Sequence, residues 1–239
     1  MIILMKKLFI LIPAYNEEKS IATVISSIPM YSNLEKFVIV IDDGSTDNTI
    51  RNAKNAGATV LANRQNLGLG TTFKKGLEHA IKNSAHIIVI LDGDGQYKST
   101  QISDLIFPLM SNDADMIIGN RYYYDYSSSF LKKEVNKFIS IFISQILLRT
   151  KKMHDVQSSY RGFNRKLGLF LLNELNAKYN YSQEMFMLAN MNEFKIKQVP
   201  VKCFKRSDGS SRLIKYPLIH IYKIIIISLV TYIQQKYLK

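Results

Sequence analysis

His86-Ile87-Ile88-Val89-Ile90-Leu91-Asp92-Gly93-Asp94-Gly95-Gln96 is an apolar run that stops on two carboxylates separated by one glycine. A near-continuous stretch of Ile, Val and Leu is the pattern of a parallel strand covered on both faces, since neither side of it meets water. The change at Asp92 marks where the chain leaves the sheet. In an extended turn Asp92 and Asp94 share one face, and the missing side chains of Gly93 and Gly95 let phosphate approach the main chain. Gln96 offers a further neutral oxygen. Hard oxygen donors with room for phosphate and water suit Mg²⁺ or Mn²⁺. Taken alone, the segment also reads as a plain Asp-Gly turn.

Three other apolar runs, residues 8–12, 37–41 and 115–118, have the same character. Between the runs lie helical patterns at 18–28, 47–56, 71–82 and 100–110, with apolar residues three and four apart. Strand alternating with helix predicts an α/β fold with a doubly wound, mainly parallel sheet. Such sheets bind ligands beyond the carboxyl ends of their strands. All four ends carry polar chemistry: Pro13-Ala14-Tyr15-Asn16-Glu17-Glu18, Asp42-Asp43-Gly44-Ser45-Thr46-Asp47, Asp92 to Gln96, and Gly119-Asn120-Arg121. One acidic turn is a helix cap; four on one edge form a site. Asp42 occupies the position where nucleotide-binding α/β folds hold ribose or base with an acid. The competing reading is that 43–47 caps the next helix, and both can hold.

The 239 residues suffice for one generous α/β domain without staples. With 47% hydrophobic and 21% charged residues, extended disorder is excluded. A single cysteine, Cys203, allows no internal disulfide, and four scattered histidines form no zinc pattern, which fits a reducing, cytoplasmic setting. The apolar N-terminal stretch is too short for a signal sequence and reads as the first strand. A net charge of +13 favours nucleic acid, anionic lipid or phosphorylated substrates without choosing among them.

After Arg121 a tyrosine- and serine-rich loop spans 122–129, followed by a strongly apolar helix at 132–148, partly core. The run 218–233 is almost wholly apolar behind Pro217, a suitable helix start. A span needs roughly 20 apolar residues, and Lys223 interrupts this run early, so an interfacial or docking helix is expected, with Lys236 and Lys239 among lipid phosphates. The expected division is a catalytic-type α/β domain over 1–212 and an apolar helix over 213–239.

As an ordered set, these motifs resemble the inverting family 2 glycosyltransferases of the GT-A fold, and among them the dolichyl-phosphate mannose synthases and related polyprenyl-phosphate glycosyltransferases. The resemblance is carried by residues 12–18, 40–47, Asn66-Leu67-Gly68-Leu69-Gly70, 91–96 and 119–121. It continues in Asp155-Val156-Gln157-Ser158-Ser159-Tyr160-Arg161-Gly162-Phe163 and Arg206-Ser207-Asp208-Gly209-Ser210-Ser211-Arg212. It implies a nucleotide-sugar donor whose base and ribose are held by Pro13, Ala14, Tyr15, Glu17 and Asp42, with Asp92 at its diphosphate. Asp92, Asp94 and Gln96 would carry the metal. Arg121 would lie near the donor phosphates or the acceptor, and Arg206, Ser211 and Arg212 would meet the phosphate of a lipid acceptor, a task suited to guanidinium forks. Ser159 stands where the family commonly has glycine, and Arg212 where it has lysine.

The acceptor decides whether a base is needed. A sugar hydroxyl must lose a proton as it attacks, whereas a phosphate monoester, with a second pKa of about 6, is already largely dianionic at neutral pH. Family members acting on hydroxyls carry an acidic pair where this chain has Gln183-Glu184. Glu184 is then either a base or a structural carboxylate pairing with Arg161, and Asp155 is a second candidate for binding or base. The resemblance implies transfer to a polyprenyl or dolichyl phosphate at the cytoplasmic face of a membrane. The chain would be peripheral, weakly anchored or partnered with a membrane protein, and would bind no nucleic acid. Transfer to a saccharide hydroxyl and a catalytically silent nucleotide-binding scaffold are the alternatives; the intact Asp92 and Asp94 oppose the second. A dehydrogenase fits poorly, because Gly68-Leu69-Gly70 lacks a third glycine and does not follow the first strand.

Overall fold

The structure, a computed structural model, describes residues 5–124, 130–151, 153–176, 181–206 and 217–237, with the main chain alone for 130–132 and 217–221. Its strands are β1 (Lys6–Ala14), β2 (Leu34–Asp42), β3 (Thr59–Ala62), β4 (Ile87–Ile90), β5 (Met116–Asn120), β6 (Arg161–Asn164) and β7 (Ile196–Pro200). They form one sheet in the order β3-β2-β1-β4-β6-β5-β7, parallel except for β6, which runs against both β4 and β5.

The alternation along β1 explains the layering. Leu8, Ile10 and Ile12 face one core and Phe9 and Leu11 the other, because successive side chains of a strand point to opposite faces. The first core is closed by α1 (Ile21–Ser26), α2 (Thr49–Asn55) and α4 (Ile102–Met110). The second is closed by α3 (Leu69–Lys82), α5 (Phe130–Ile141), α6 (Arg165–Glu174), α7 (Tyr181–Met191) and α8 (Pro217–Tyr237). Each large apolar side chain fully buried here contributes about 1.5–3 kcal/mol.

Differences from the expected boundaries have local causes. The first helix starts at Ile21 rather than 18, because the amides of Asn16, Glu17 and Glu18 bond Ser45 Oγ (2.8 Å), Thr49 Oγ1 (2.7 Å) and Asp47 Oδ2 (3.2 Å) instead of entering a helix. Asn16 takes φ +53° there. The helix expected over 132–148 changes at Phe142 into a π-helical segment, Phe142–Leu147. Ser140 and Ser144 bond back to the carbonyls four residues earlier (2.9 and 2.7 Å), and Ser140 Oγ also accepts the Val156 amide (3.2 Å). Hydroxyls that compete with the helical ladder loosen it in this way, and here they hold the chain on either side of Asp155.

Strand order reverses between β1 and β4, and ligands of open α/β sheets sit at such switch points. The ends of those two adjacent strands are the Pro13–Glu18 segment and the Asp92–Gln96 turn. No described helix is long and apolar enough to cross a membrane.

Candidate active site

The two acids ending β2 divide their work. Asp43 accepts from the amides of Leu67 (2.9 Å) and Gly68 (3.0 Å), from Thr72 Oγ1 (2.7 Å) and from Asn63 Nδ2 (3.0 Å), so it fixes the 63–68 loop and the start of α3. Asp42 accepts from the amides of Gly44 (3.1 Å) and Ser45 (2.9 Å) through Oδ2, while its buried Oδ1 has no hydrogen-bond partner. A buried carboxylate oxygen without a donor costs free energy, and a ligand hydroxyl or N–H would relieve it. Gly44 permits this turn at φ +79°, where a Cβ would lie 2.6 Å from the Gln65 carbonyl carbon. Beside it, the Ala14 carbonyl accepts the Asp43 amide (2.8 Å) and Asn16 Oδ1 accepts the Thr46 amide (2.8 Å), joining the two strand ends expected to form a nucleotide edge. Pro13 and Ala14 are buried in this seam, and Tyr15 and Glu17 are half-exposed at its rim.

Beyond β4 the acidic turn is drawn tight. Asp94 Oδ1 accepts the Gln96 amide (3.0 Å), Gly95 has φ +75°, and Asp92 accepts the Ser159 hydroxyl. A Cβ at Gly93 would stand 3.2 Å from Ile21 Cδ1, so the turn lies close over the start of α1. Burial, and then the charge of Asp94, push the Asp92 carboxyl up to about 6; burial also raises Asp94, against the pull of the Gln96 amide and Arg206. Two crowded hard-oxygen acids whose carboxyls are raised by burial fit a divalent cation. Among the described residues no three His, Cys, Asp or Glu side chains cluster as a metal site. The protein therefore offers a pair of carboxylates, and the remaining ligands would be phosphate and water oxygens, the usual arrangement for Mg²⁺ with a phosphorylated substrate. Gln96, expected as a third oxygen ligand, bonds the Phe204 carbonyl through Nε2 (3.1 Å), and its main-chain carbonyl takes the Phe204 amide (2.8 Å).

That pairing leads the 203–206 chain across the turn. Arg206 bonds Glu17, and its Nε lies 3.9 Å from Asp94 Oδ2. A guanidinium from the late basic motif thus bridges the nucleotide edge and the acidic turn. Ser211 and Arg212 lie outside the described residues. Arg121, following β5, pairs with Asp155 in a fork at 2.8 Å for both Nε–Oδ2 and Nη2–Oδ1, and Asp155 has no exposed surface.

Neither acid expected as a base is open. Asp155 is committed to Arg121. Glu184 is 5% exposed in the first turn of α7 and accepts the Asn176 amide at 3.1 Å. The expected Arg161 partnership takes another form: the fully buried guanidinium bonds the main-chain carbonyls of Val156 (3.2 Å), Ser158 (3.1 Å) and Ser182 (2.6 Å). Burial lowers its pKa to about 10, which leaves it charged. Gln183 reaches away from the sheet edge, through Nε2, to the Ile224 carbonyl (3.1 Å) and Ser228 Oγ on α8. Sequence reasoning noted Ser159 only as a departure from glycine and missed its bond to Asp92. Its place in the motif before β6 was the available signal.

A mainly parallel sheet with one reversed strand, loaded at its switch point with an acidic turn, defines an α/β protein of the GT-A type. The sequence profile described as Glycosyl transferase family 2 matches residues 9–168, and the chain belongs to that family and is a glycosyltransferase. It is 30% identical over 217 residues to the UDP-N-acetylglucosamine–dolichyl-phosphate N-acetylglucosaminyltransferase of Methanococcus voltae, covering 82% of this chain and 85% of that one. Glycosyltransferase AglJ of Haloferax volcanii is 32% identical over 205 residues, 84% of this chain and 64% of the relative. Among solved structures, glucosyl-3-phosphoglycerate synthase of Mycobacterium tuberculosis with Mn²⁺, UDP and glucosyl-3-phosphoglycerate superposes with a TM-score of 0.71 at 21% identity, over 96% of this chain and 80% of that one. This likeness establishes the shared fold.

Proposed function

We propose that this glycosyltransferase is metal-dependent and inverting, and transfers a sugar from a nucleoside diphosphate to a polyprenyl or dolichyl phosphate at the cytoplasmic face of a membrane. The carrying observation is the commitment of Asp155 to Arg121, with Glu184 buried under the Asn176 amide. Neither acid is presented as a base, which favours an acceptor that needs none. The Methanococcus voltae relative, by its name, uses a dolichyl phosphate and supports the same reading.

Asp42 Oδ1 is the open acceptor for the nucleoside, beside Pro13 to Glu17. Asp92 and Asp94 would hold Mg²⁺ or Mn²⁺, which when bound supplies positive charge against the departing diphosphate. Ser159 fixes the rotamer of Asp92. Arg121, oriented by Asp155, and Arg206 supply guanidinium charge for donor and acceptor phosphates. An oxygen of the lipid phosphate forms a bond to the anomeric carbon as the bond to the diphosphate breaks. The bonding pair leaves with the diphosphate and the configuration inverts.

The reading is tested by mixing purified protein with Mn²⁺ or Mg²⁺, labelled nucleotide sugars, and polyprenyl phosphate or soluble saccharides in detergent. Label in the lipid fraction supports it. Label only in soluble saccharide, with no lipid product from any donor, would sink it.

A further inference from the structure

Helix α8 buries one narrow side against the protein and leaves an apolar stripe exposed. Its inward side carries Ser228 and Thr231 beside Ile224, all buried, and Ser228 meets the Gln183 amide of α7. Its outward side carries Tyr222, Ile226, Leu229, Val230, Ile233 and Tyr237, spaced at helical intervals into one stripe, with Tyr222 and Tyr237 each 67% exposed at its two ends. A continuous apolar stripe left exposed along a helix is built for an apolar neighbour. Phe138 on α5 and Ile146 on the π-helical segment are also exposed, on two elements that pack against α8. Half of the exposed large hydrophobic residues among those described fall on these three elements. Phe107 on α4, equally exposed, stands on the opposite layer.

The charge around the stripe selects the neighbour. Residues 217–239 hold three lysines and no acid, and 130–152 hold six Lys and Arg against one acid, Glu134. A second copy would press like charge on like charge, which disfavours self-association. An anionic lipid surface complements both features, with tyrosines at the interface level and lysines among the phosphates. We infer that the outward face of α8, with Phe138 and Ile146, docks flat on an anionic phospholipid surface without crossing it. A lipid phosphate acceptor would be met at such a surface. The inference deepens the acceptor reading and needs no turnover for its test, so each can fail alone.

The experiment is co-sedimentation of the full chain with phosphatidylcholine vesicles, with and without phosphatidylglycerol, together with sedimentation velocity in free solution. Expected are a monomer that binds the anionic vesicles, release by salt, and a loss of at least about tenfold in partitioning for Ile226→Glu/Val230→Glu. Phe107→Glu should bind as the unaltered protein does. Independently of any variant, hydrogen exchange of the unaltered protein should slow across 222–237 with anionic vesicles and not in α4. Absence of vesicle binding, equal loss for Phe107→Glu, exchange unchanged in 222–237, or a dimer split by Ile226→Glu/Val230→Glu would each overturn the inference.

Discussion

Asp155 gives both carboxylate oxygens to Arg121, at 2.8 Å each, and also accepts the Arg121 amide at 3.1 Å. The two residues lie 34 positions apart, and the pair places a guanidinium just beyond β5 with its orientation fixed by a fully buried acid. Charge-assisted forks of this kind are rigid as well as strong.

If Asp155 acts by holding Arg121, their effects are not independent. Arg121→Ala is expected to lower kcat about 100-fold, the size of losing one electrostatic donor at a reacting centre. Asp155→Asn should lower it less, and the double variant should be no worse than Arg121→Ala alone. Multiplying losses in steady-state kinetics would show Asp155 to have a separate role as base.

Asp94→Asn is expected to reduce turnover by at least about 1,000-fold, because one of the two hard donors facing the diphosphate is lost. The same change removes repulsion from Asp92, so the melting temperature of metal-free protein should hold or rise. A matched loss of activity and stability would instead make the turn structural.

Arg161→Met should destabilise the fold by about 3 kcal/mol or more, since three carbonyl oxygens, of Val156, Ser158 and Ser182, lose a charged donor in the interior. Urea unfolding measures this. Arg161→Lys should recover little, because one ammonium cannot replace a fork.

Gly44→Ala is expected to cost about 1–3 kcal/mol through the left-handed backbone at φ +79° and the contact with Gln65. The displaced turn should also raise KM for the donor through Asp42. A change in melting temperature with KM unaltered would separate Gly44 from nucleotide binding.

The first half of the fold was legible because β1, β2, β4 and β5 are apolar runs that end abruptly on polar residues. β6 escaped notice because its four residues begin with a buried arginine and end with asparagine, so no apolar run announces them. β3 and β7 lie at the edges, where half-exposed side chains dilute the pattern. The acidic turn and the four loaded strand ends were legible because each is contiguous in sequence. Pairings between distant positions were not: Arg121 with Asp155, Asp92 with Ser159, and Arg206 with Glu17. Nor could composition tell Asp42, with one open oxygen, from Asp43, which holds a loop. That difference depends on which neighbouring amides the fold brings to each acid.

Comparing dolichyl phosphate with dolichol, the same lipid lacking the phosphate, tests the central claim most directly. With Mn²⁺ and the donor that supports transfer, labelled lipid should form from dolichyl phosphate alone, with the anomeric configuration inverted relative to the donor. Comparable transfer to dolichol, or a product of retained configuration, would contradict phosphate attack at a site without a base.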